Sequence, residues 1–242
     1  MVSNWYQKNI KNARNIVFKP FSASCGQLRK TMVISVKRIL FQGDSITDMY
    51  RVRDLDHYAG CGYATLVSAQ LGYENPGEYT FINRGIGGDR SIDILARIKK
   101  DAINLKPDYM SIFVGVNDAW AEIDTGNGVS PENYEKYLSL IIDEVKAALP
   151  DIKLMILEPF VLKYLILPDK YAELRVAVEA IAKAAKRTAE KYNIKFVPLM
   201  KKFDNALKYA PVDFWTADGV HPKAPGHELI KREWIKAFNE IK

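Results

Sequence analysis

RILFQGDSIT, residues 38–47, runs from an apolar strand into a polar turn. Ile39, Leu40 and Phe41 are consecutive rather than alternating with polar residues, the pattern of a strand covered on both faces. Gly43, Asp44 and Ser45 then end it, with a small hydroxyl at the tip. A strand of this kind belongs to a sheet flanked by helices, and such sheets bind ligands beyond the carboxyl ends of their strands. Ser45 stands at one of those ends. It is either part of an ordinary strand-to-helix turn or a hydroxyl held ready for use.

Similar apolar runs recur at 79–83, 109–114, 152–157 and 194–198. Between them lie stretches with helical periodicity at 62–71, 91–104, 131–149, 169–192 and 225–240. In the third of these, Ser130 suits an N-cap and Pro131 the first helical position, while Tyr134, Leu138, Ile141, Val145 and Leu149 share one face. Strictly alternating strands and helices imply an α/β domain with a parallel sheet covered on both sides. Two more strand ends are then rich in glycine and polar residues: Asn83 to Gly88, and Gly115 to Asp118.

The 242 residues suit a single α/β domain or two small ones, and 48% apolar residues can fill a large core. The net charge of +6 is unevenly spread. Residues 1–38 hold Lys8, Lys11, Arg14, Lys19, Arg29, Lys30, Lys37 and Arg38 with no acid, which leaves −2 for residues 39–242. The sequence is therefore read as a basic extension over 1–31, either disordered or upstream of an alternative start at Met32, followed by a domain over 32–242. The extension lacks the clustered Lys/Arg run of a nucleic-acid or anionic-surface binder, and it has no continuous apolar h-region followed by a small-residue cleavage site, so a secretory signal is not expected. No apolar run approaches bilayer length. The expected setting is cytoplasmic, with no nucleic-acid or membrane partner and with a homo-oligomer left open. Cys25, Cys61 and three histidines do not form a metal-ligand spacing, so neither metal nor cofactor is expected.

A serine hydroxyl needs a base to become a nucleophile. The candidates are His57, His221 and His227. His221 follows Asp218 by three residues, close enough across one turn for the carboxylate to accept from Nδ1–H. That would fix the tautomer, free Nε2 for the serine proton and stabilise the imidazolium. His227, in the first turn of the last helix, is read as structural, and His57 has no evident partner. A developing oxyanion needs donors, and the Ser45 N–H, the Gly88 N–H and the Asn117 amide all fall at strand ends. Asp44 is expected to brace the Ser45 turn, while Asp48 and Asp118 are expected near helix starts. Trp120, Trp215 and Tyr63 are aromatic candidates for an apolar, stacking wall. Each residue also has a plain reading as core or rim, and Arg90 as an exposed loop arginine.

Four blocks, FQGDSIT (41–47), NRGIGGD (83–89), VGVND (114–118) and DGVHP (218–222), together resemble the SGNH (GDSL-type) hydrolases over residues 38–240. The resemblance implies a flavodoxin-like three-layer α/β/α sandwich on a five-stranded parallel sheet. It implies a serine ester hydrolase with Ser45, Asp218 and His221 as triad, and with Ser45, Gly88 and Asn117 forming the oxyanion hole. Asp89 fixes the register of the second block and so points to Gly88 rather than Gly87. The stretches around these blocks are most similar to carbohydrate O-acetylesterases of the acetylxylan-esterase type, implying a small acyl ester such as an acetylated sugar as substrate. Two rivals stand beside this reading: a lysophospholipase- or thioesterase-like hydrolase of longer acyl chains, and a non-catalytic carbohydrate-binding module on the same fold.

Overall fold

The computed structural model describes residues 15–16, 34–56, 58–164 and 169–242. Five parallel strands form the central sheet: β1 (Lys37–Gly43), β2 (Tyr79–Asn83), β3 (Tyr109–Phe113), β4 (Lys153–Leu157) and β5 (Lys195–Val197). Their spatial order is β2-β1-β3-β4-β5. All five fall where the apolar runs place them. This is the flavodoxin-like order, in which the winding reverses between β1 and β3. Crossover connections on either side of that point leave in opposite directions and open a crevice there. The turn carrying Ser45 leaves β1 at this crevice.

The helices are α1 (Ser45–Asp48), α2 (Tyr63–Glu74), α3 (Ser91–Asp101), α4 (Val116–Thr125), α5 (Pro131–Ala148), α6 (Tyr171–Lys191), α7 (Met200–Ala206), α8 (Val212–Trp215) and α9 (Ala224–Ile241). One layer packs α2 against α9, and the other packs α3 against α5, α5 against α6 and α6 against α4. The caps expected for α5 are present: Ser130 Oγ accepts from Asn133 N–H at 3.3 Å, with Pro131 at the start. The run expected as one helix over 91–104 breaks after Asp101 into a short 3₁₀ turn, Ile103–Leu105.

Aromatic rings fill the layer between the sheet and α2/α9. Phe41 of β1 meets Tyr63 edge-on at 5.8 Å and Trp234 at 5.4 Å, and Tyr109 of β3 meets Phe238 at 4.9 Å. Ile39, Leu40 and Phe41 are fully buried, as a strand covered on both faces requires. Burying rings of this size contributes about 2–3 kcal/mol each before entropy is counted, so the layer fixes the height of α2 and α9 above β1.

Most of the basic extension, and with it Cys25, lies outside the described residues; Asn15–Ile16 pairs antiparallel with Ile34–Ser35. His57 also lies outside them. Among the described residues no helix is long and apolar enough to cross a membrane, and no group of three or more His, Cys, Asp or Glu is placed to hold a metal ion.

Candidate active site

Ser45 opens the one-turn helix α1, and the residue before it sets its position. Asp44 is buried, and its Oδ1 accepts from Ile46 N–H at 3.0 Å, capping that turn. Burial pushes the Asp44 carboxyl up to about 7, partly opposed by that bond. Asn83, at the end of β2, locks the turn from the side. Its Nδ2 donates to the carbonyls of Thr47 (2.6 Å) and Ala59 (2.8 Å), and its Oδ1 accepts from Gly85 N–H (2.9 Å). A buried amide using three of its four valences this way fixes three loops to one another.

The structure brings Ser45 and His221 together across 176 residues of chain, with Oγ 2.8 Å from Nε2. The other ring nitrogen, Nδ1, lies 2.6 Å from Asp218 Oδ2. Asp218 Oδ1 accepts from the N–H groups of Val220 (2.9 Å) and His221 (2.8 Å), so the carboxylate holds both the ring and its own turn. An ionised carboxylate only accepts, which puts the proton on Nδ1 and leaves Nε2 to accept from the Ser45 hydroxyl. Burial works against the Asp218 charge, but the bonds from the His221 ring, His221 N–H and Val220 N–H outweigh it and hold the carboxyl at about 2. The bond to Asp218 raises the His221 ring above its ordinary value, against partial burial. Gly219, between them, has φ +94°, and a Cβ there would lie 2.4 Å from the Leu162 carbonyl oxygen. No side chain fits that bend.

The oxyanion candidates converge on the same turn. Gly87 N–H donates to Asp48 Oδ2 and Asp89 N–H to the Ile86 carbonyl, whereas Gly88 N–H and Ser45 N–H have no protein partner among the described residues. Gly88 has φ +86° and faces open space. Asn117, in the first turn of α4, donates from Nδ2 to the Asp89 carbonyl at 3.0 Å, which ties it to the loop holding Gly88. One amide hydrogen serves that bond, and the other is available to a ligand.

Several supporting residues lack a signal in the sequence. Arg97 of α3 donates to Asp89, Asp101 and the carbonyls of Arg84 and Gly43, bracing the ends of β1 and β2 together. Asp118 begins α4 as expected, but its carboxylate leaves its own helix and accepts from Ser91 N–H and Ser91 Oγ at the start of α3. Burial pushes Asp118 up to about 6, partly opposed by Ser91. Asp48 lies in the single turn of α1 as its last residue, and it accepts from Gly87 N–H at 3.1 Å. Arg90 is bound to Asp93 and to the Asn127 carbonyl.

The three aromatic candidates separate. Tyr63 is not a substrate contact: its ring is fully buried between Phe41 and Phe113, and its hydroxyl bonds Thr47 Oγ1 at 3.0 Å. Trp120, one turn beyond Asn117, is partly exposed and lines a small open depression with Ile123, Asp124, Lys170 and Leu174. Trp215, partly exposed, donates from Nε1 to the Ala210 carbonyl, and its ring stands edge-on to Phe214.

Comparison with known proteins matches residues 41–229 to the GDSL-like lipase/acylhydrolase family. The chain is 32% identical over 214 residues to an acetylxylan esterase of Geobacillus stearothermophilus, covering 84% of this chain and 94% of that one. A candidate GDSL-like lipase from Parabacteroides merdae has a similar crystal structure, with a TM-score of 0.79 and 33% identity over 85% of this chain and 98% of that one. A catalytic mutant of an acetylxylan esterase from Geobacillus stearothermophilus superposes with a TM-score of 0.75 and 28% identity, covering 83% of this chain and 93% of that one.

Proposed function

Because the chain belongs to the GDSL-like lipase/acylhydrolase family and is a carboxylic ester hydrolase, we propose that it removes small acyl groups, foremost O-acetyl groups of a carbohydrate, through Ser45, His221 and Asp218. The observation that carries this is the continuous relay from the Ser45 hydroxyl through the His221 ring to the Asp218 carboxylate, at 2.8 and 2.6 Å. Solved catalytic mutants of the Geobacillus stearothermophilus esterase replace a serine, a histidine and an aspartate, the aspartate three positions before the histidine, which supports the same roles here.

Ser45 Oγ attacks the ester carbonyl carbon while its proton passes to His221 Nε2. The Asp218 carboxylate stabilises the imidazolium that forms. The carbonyl oxygen, now an oxyanion, is received by the N–H groups of Ser45 and Gly88 and by the free Asn117 amide hydrogen. Collapse expels the alcohol, which takes the proton from Nε2. Water then attacks the acyl-enzyme and gives its proton to Nε2. The acid leaves, and the proton returns to Ser45. Trp120 and Trp215 are the remaining aromatic candidates for contact with the alcohol portion of the substrate.

The test is Ser45→Ala assayed with p-nitrophenyl acetate, acetylated xylooligosaccharides and p-nitrophenyl octanoate. The expected result is a loss of about 10³-fold or more for every ester with the fold retained, and a wild-type preference for acetyl over octanoyl. Undiminished turnover by Ser45→Ala rejects the nucleophile, and a preference for octanoyl moves the substrate class to longer acyl chains.

A further inference from the structure

His227 lies in the first turn of α9, five residues beyond the DGVHP block, and the catalytic steps above do not use it. Its ring is buried. Nδ1 accepts from Tyr63 N–H at 3.1 Å, which places the ring proton on Nε2. Nε2 is itself buried with no partner among the described residues. A polar ring with one nitrogen unpaired is a poor choice for a core that an apolar side chain could fill. Rules of this kind are broken mainly where function requires it.

What the ring supplies is a cap for a neighbouring helix. The N-cap of α2 is Gly62, which has no side chain to accept the unpaired N–H groups of the first turn. A side chain at that position has no room, because a Cβ would lie 2.9 Å from Met49 Cβ and 3.0 Å from His227 Cε1. His227 therefore caps α2 from another helix. Burial, with the nearby His221 charge adding to it, pushes the His227 ring down to about 4, so Nδ1 stays an acceptor at neutral pH.

Both ends of this contact lead to the proposed relay. On one side, the Tyr63 hydroxyl is hydrogen-bonded to Thr47 Oγ1, two residues after Ser45 in α1. On the other, His227 N–H donates to the Lys223 carbonyl, two residues after His221. The chain segments bearing the nucleophile and the base come from opposite ends of the sequence, and His227 joins them behind the reacting atoms. We propose that His227 is a positioning residue, whose acceptor nitrogen sets the placement of Ser45 against His221 by way of Tyr63 and Thr47. The inference rests on Ser45 and His221 being nucleophile and base.

The test compares two substitutions that separate the acceptor from the bulk. In His227→Asn, Oδ1 stands where Nδ1 stood and can still take the Tyr63 N–H. In His227→Leu the volume is kept and the acceptor is lost. The measurements are kcat and KM for p-nitrophenyl acetate at pH 8, per active site titrated with a serine-reactive fluorophosphonate, with near-ultraviolet circular dichroism as the check on folding. The expected result is a kcat loss of about ten- to a hundredfold in His227→Leu with KM within about twofold, and recovery of most of kcat in His227→Asn. Tyr63→Phe, which cuts the link to Thr47, should lower kcat in the same way and add little to His227→Leu. A His227→Leu enzyme with wild-type kcat overturns the proposal. So does an equal loss in the leucine and asparagine variants. If His227→Leu does not fold, Tyr63→Phe decides, and an unchanged kcat there overturns it. Ser45→Ala in parallel distinguishes the two levels: turnover retained there removes the nucleophile itself.

Discussion

Asn117 Nδ2 donates to the Asp89 carbonyl at 3.0 Å, tying the helix after β3 to the loop after β2 across the crevice where the sheet reverses its winding. The amide thus has two duties in the proposed site: one hydrogen holds the Gly88 loop in place, and the other faces the developing oxyanion.

Removing the amide should therefore affect the transition state more than the ground state. Asn117→Ala is expected to lower kcat by about 10²–10³-fold with a smaller change in KM, as for loss of one oxyanion donor. Steady-state kinetics on p-nitrophenyl acetate measure this. A rise in KM with kcat unchanged would assign Asn117 to uniform binding.

The pH profile should carry the mark of Asp218. The base acts when neutral, so activity falls as pH drops through the His221 pKa, which the Asp218 bond raises above its ordinary value. In Asp218→Asn that support is gone: the acid limb of kcat/KM should shift to lower pH while the plateau falls by orders of magnitude. An acid limb that stays in place, measured from pH 5 to 9, would mean that Asp218 does not face the titrating ring.

Asp118 should make the fold less stable as pH rises through the mildly acid range. Its folded pKa of about 6 lies above the ordinary value of 3.8, so between these the native state binds more protons than the unfolded chain. Its contribution is most favourable below pH 3.8 and is lost by pH 6. Urea titrations of wild type and Asp118→Asn across pH 4–7 should show a shallower decline, or a steeper rise, with pH in the variant. Identical slopes would contradict the burial assigned to this carboxylate. Asp118→Ala leaves the buried Ser91 N–H and hydroxyl unpaired and should cost about 2–4 kcal/mol at pH 4, and less as pH rises through 6.

Much of this arrangement is legible in the sequence, for reasons that also mark its limits. The five strands are read correctly because burial on both faces turns each into a short apolar run. The start of α4 is read from Asp118, but its extent is not, because only Val116, Asp118 and Ala119 are buried in it, too few to print a periodicity. Helices α7 and α8, at seven and four residues, are too short to repeat at all. Tyr63 is misread because an aromatic beside a glycine-rich loop looks the same whether its ring turns to solvent or to Phe41 and Phe113. The bracing by Asn83, Arg97 and Asp118 has no local signature, since each bonds partners on another element that only the folded sheet brings near.

Two glycines should respond differently to the same change. Gly219→Ala forces a Cβ against the Leu162 carbonyl oxygen at φ +94°, and the backbone cannot yield without moving the Asp218–His221 turn. It should cost about 2–3 kcal/mol and most of the activity. Gly88→Ala meets open space at φ +86°, keeps its N–H and should cost only about 1 kcal/mol of backbone strain. Thermal melts and kcat on the pair measure the contrast. Equal effects would mean that the Leu162 contact does not hold the turn.

The most direct measurement is covalent. Wild type, Ser45→Ala and His221→Ala are treated with a fluorophosphonate at pH 8, and the adduct is mapped by peptide mass spectrometry. A single adduct on Ser45 in the wild type, none in Ser45→Ala and labelling slowed by about 10³-fold or more in His221→Ala are predicted. Labelling at another residue with loss of activity, or a His221→Ala enzyme that labels at the wild-type rate, would contradict the relay.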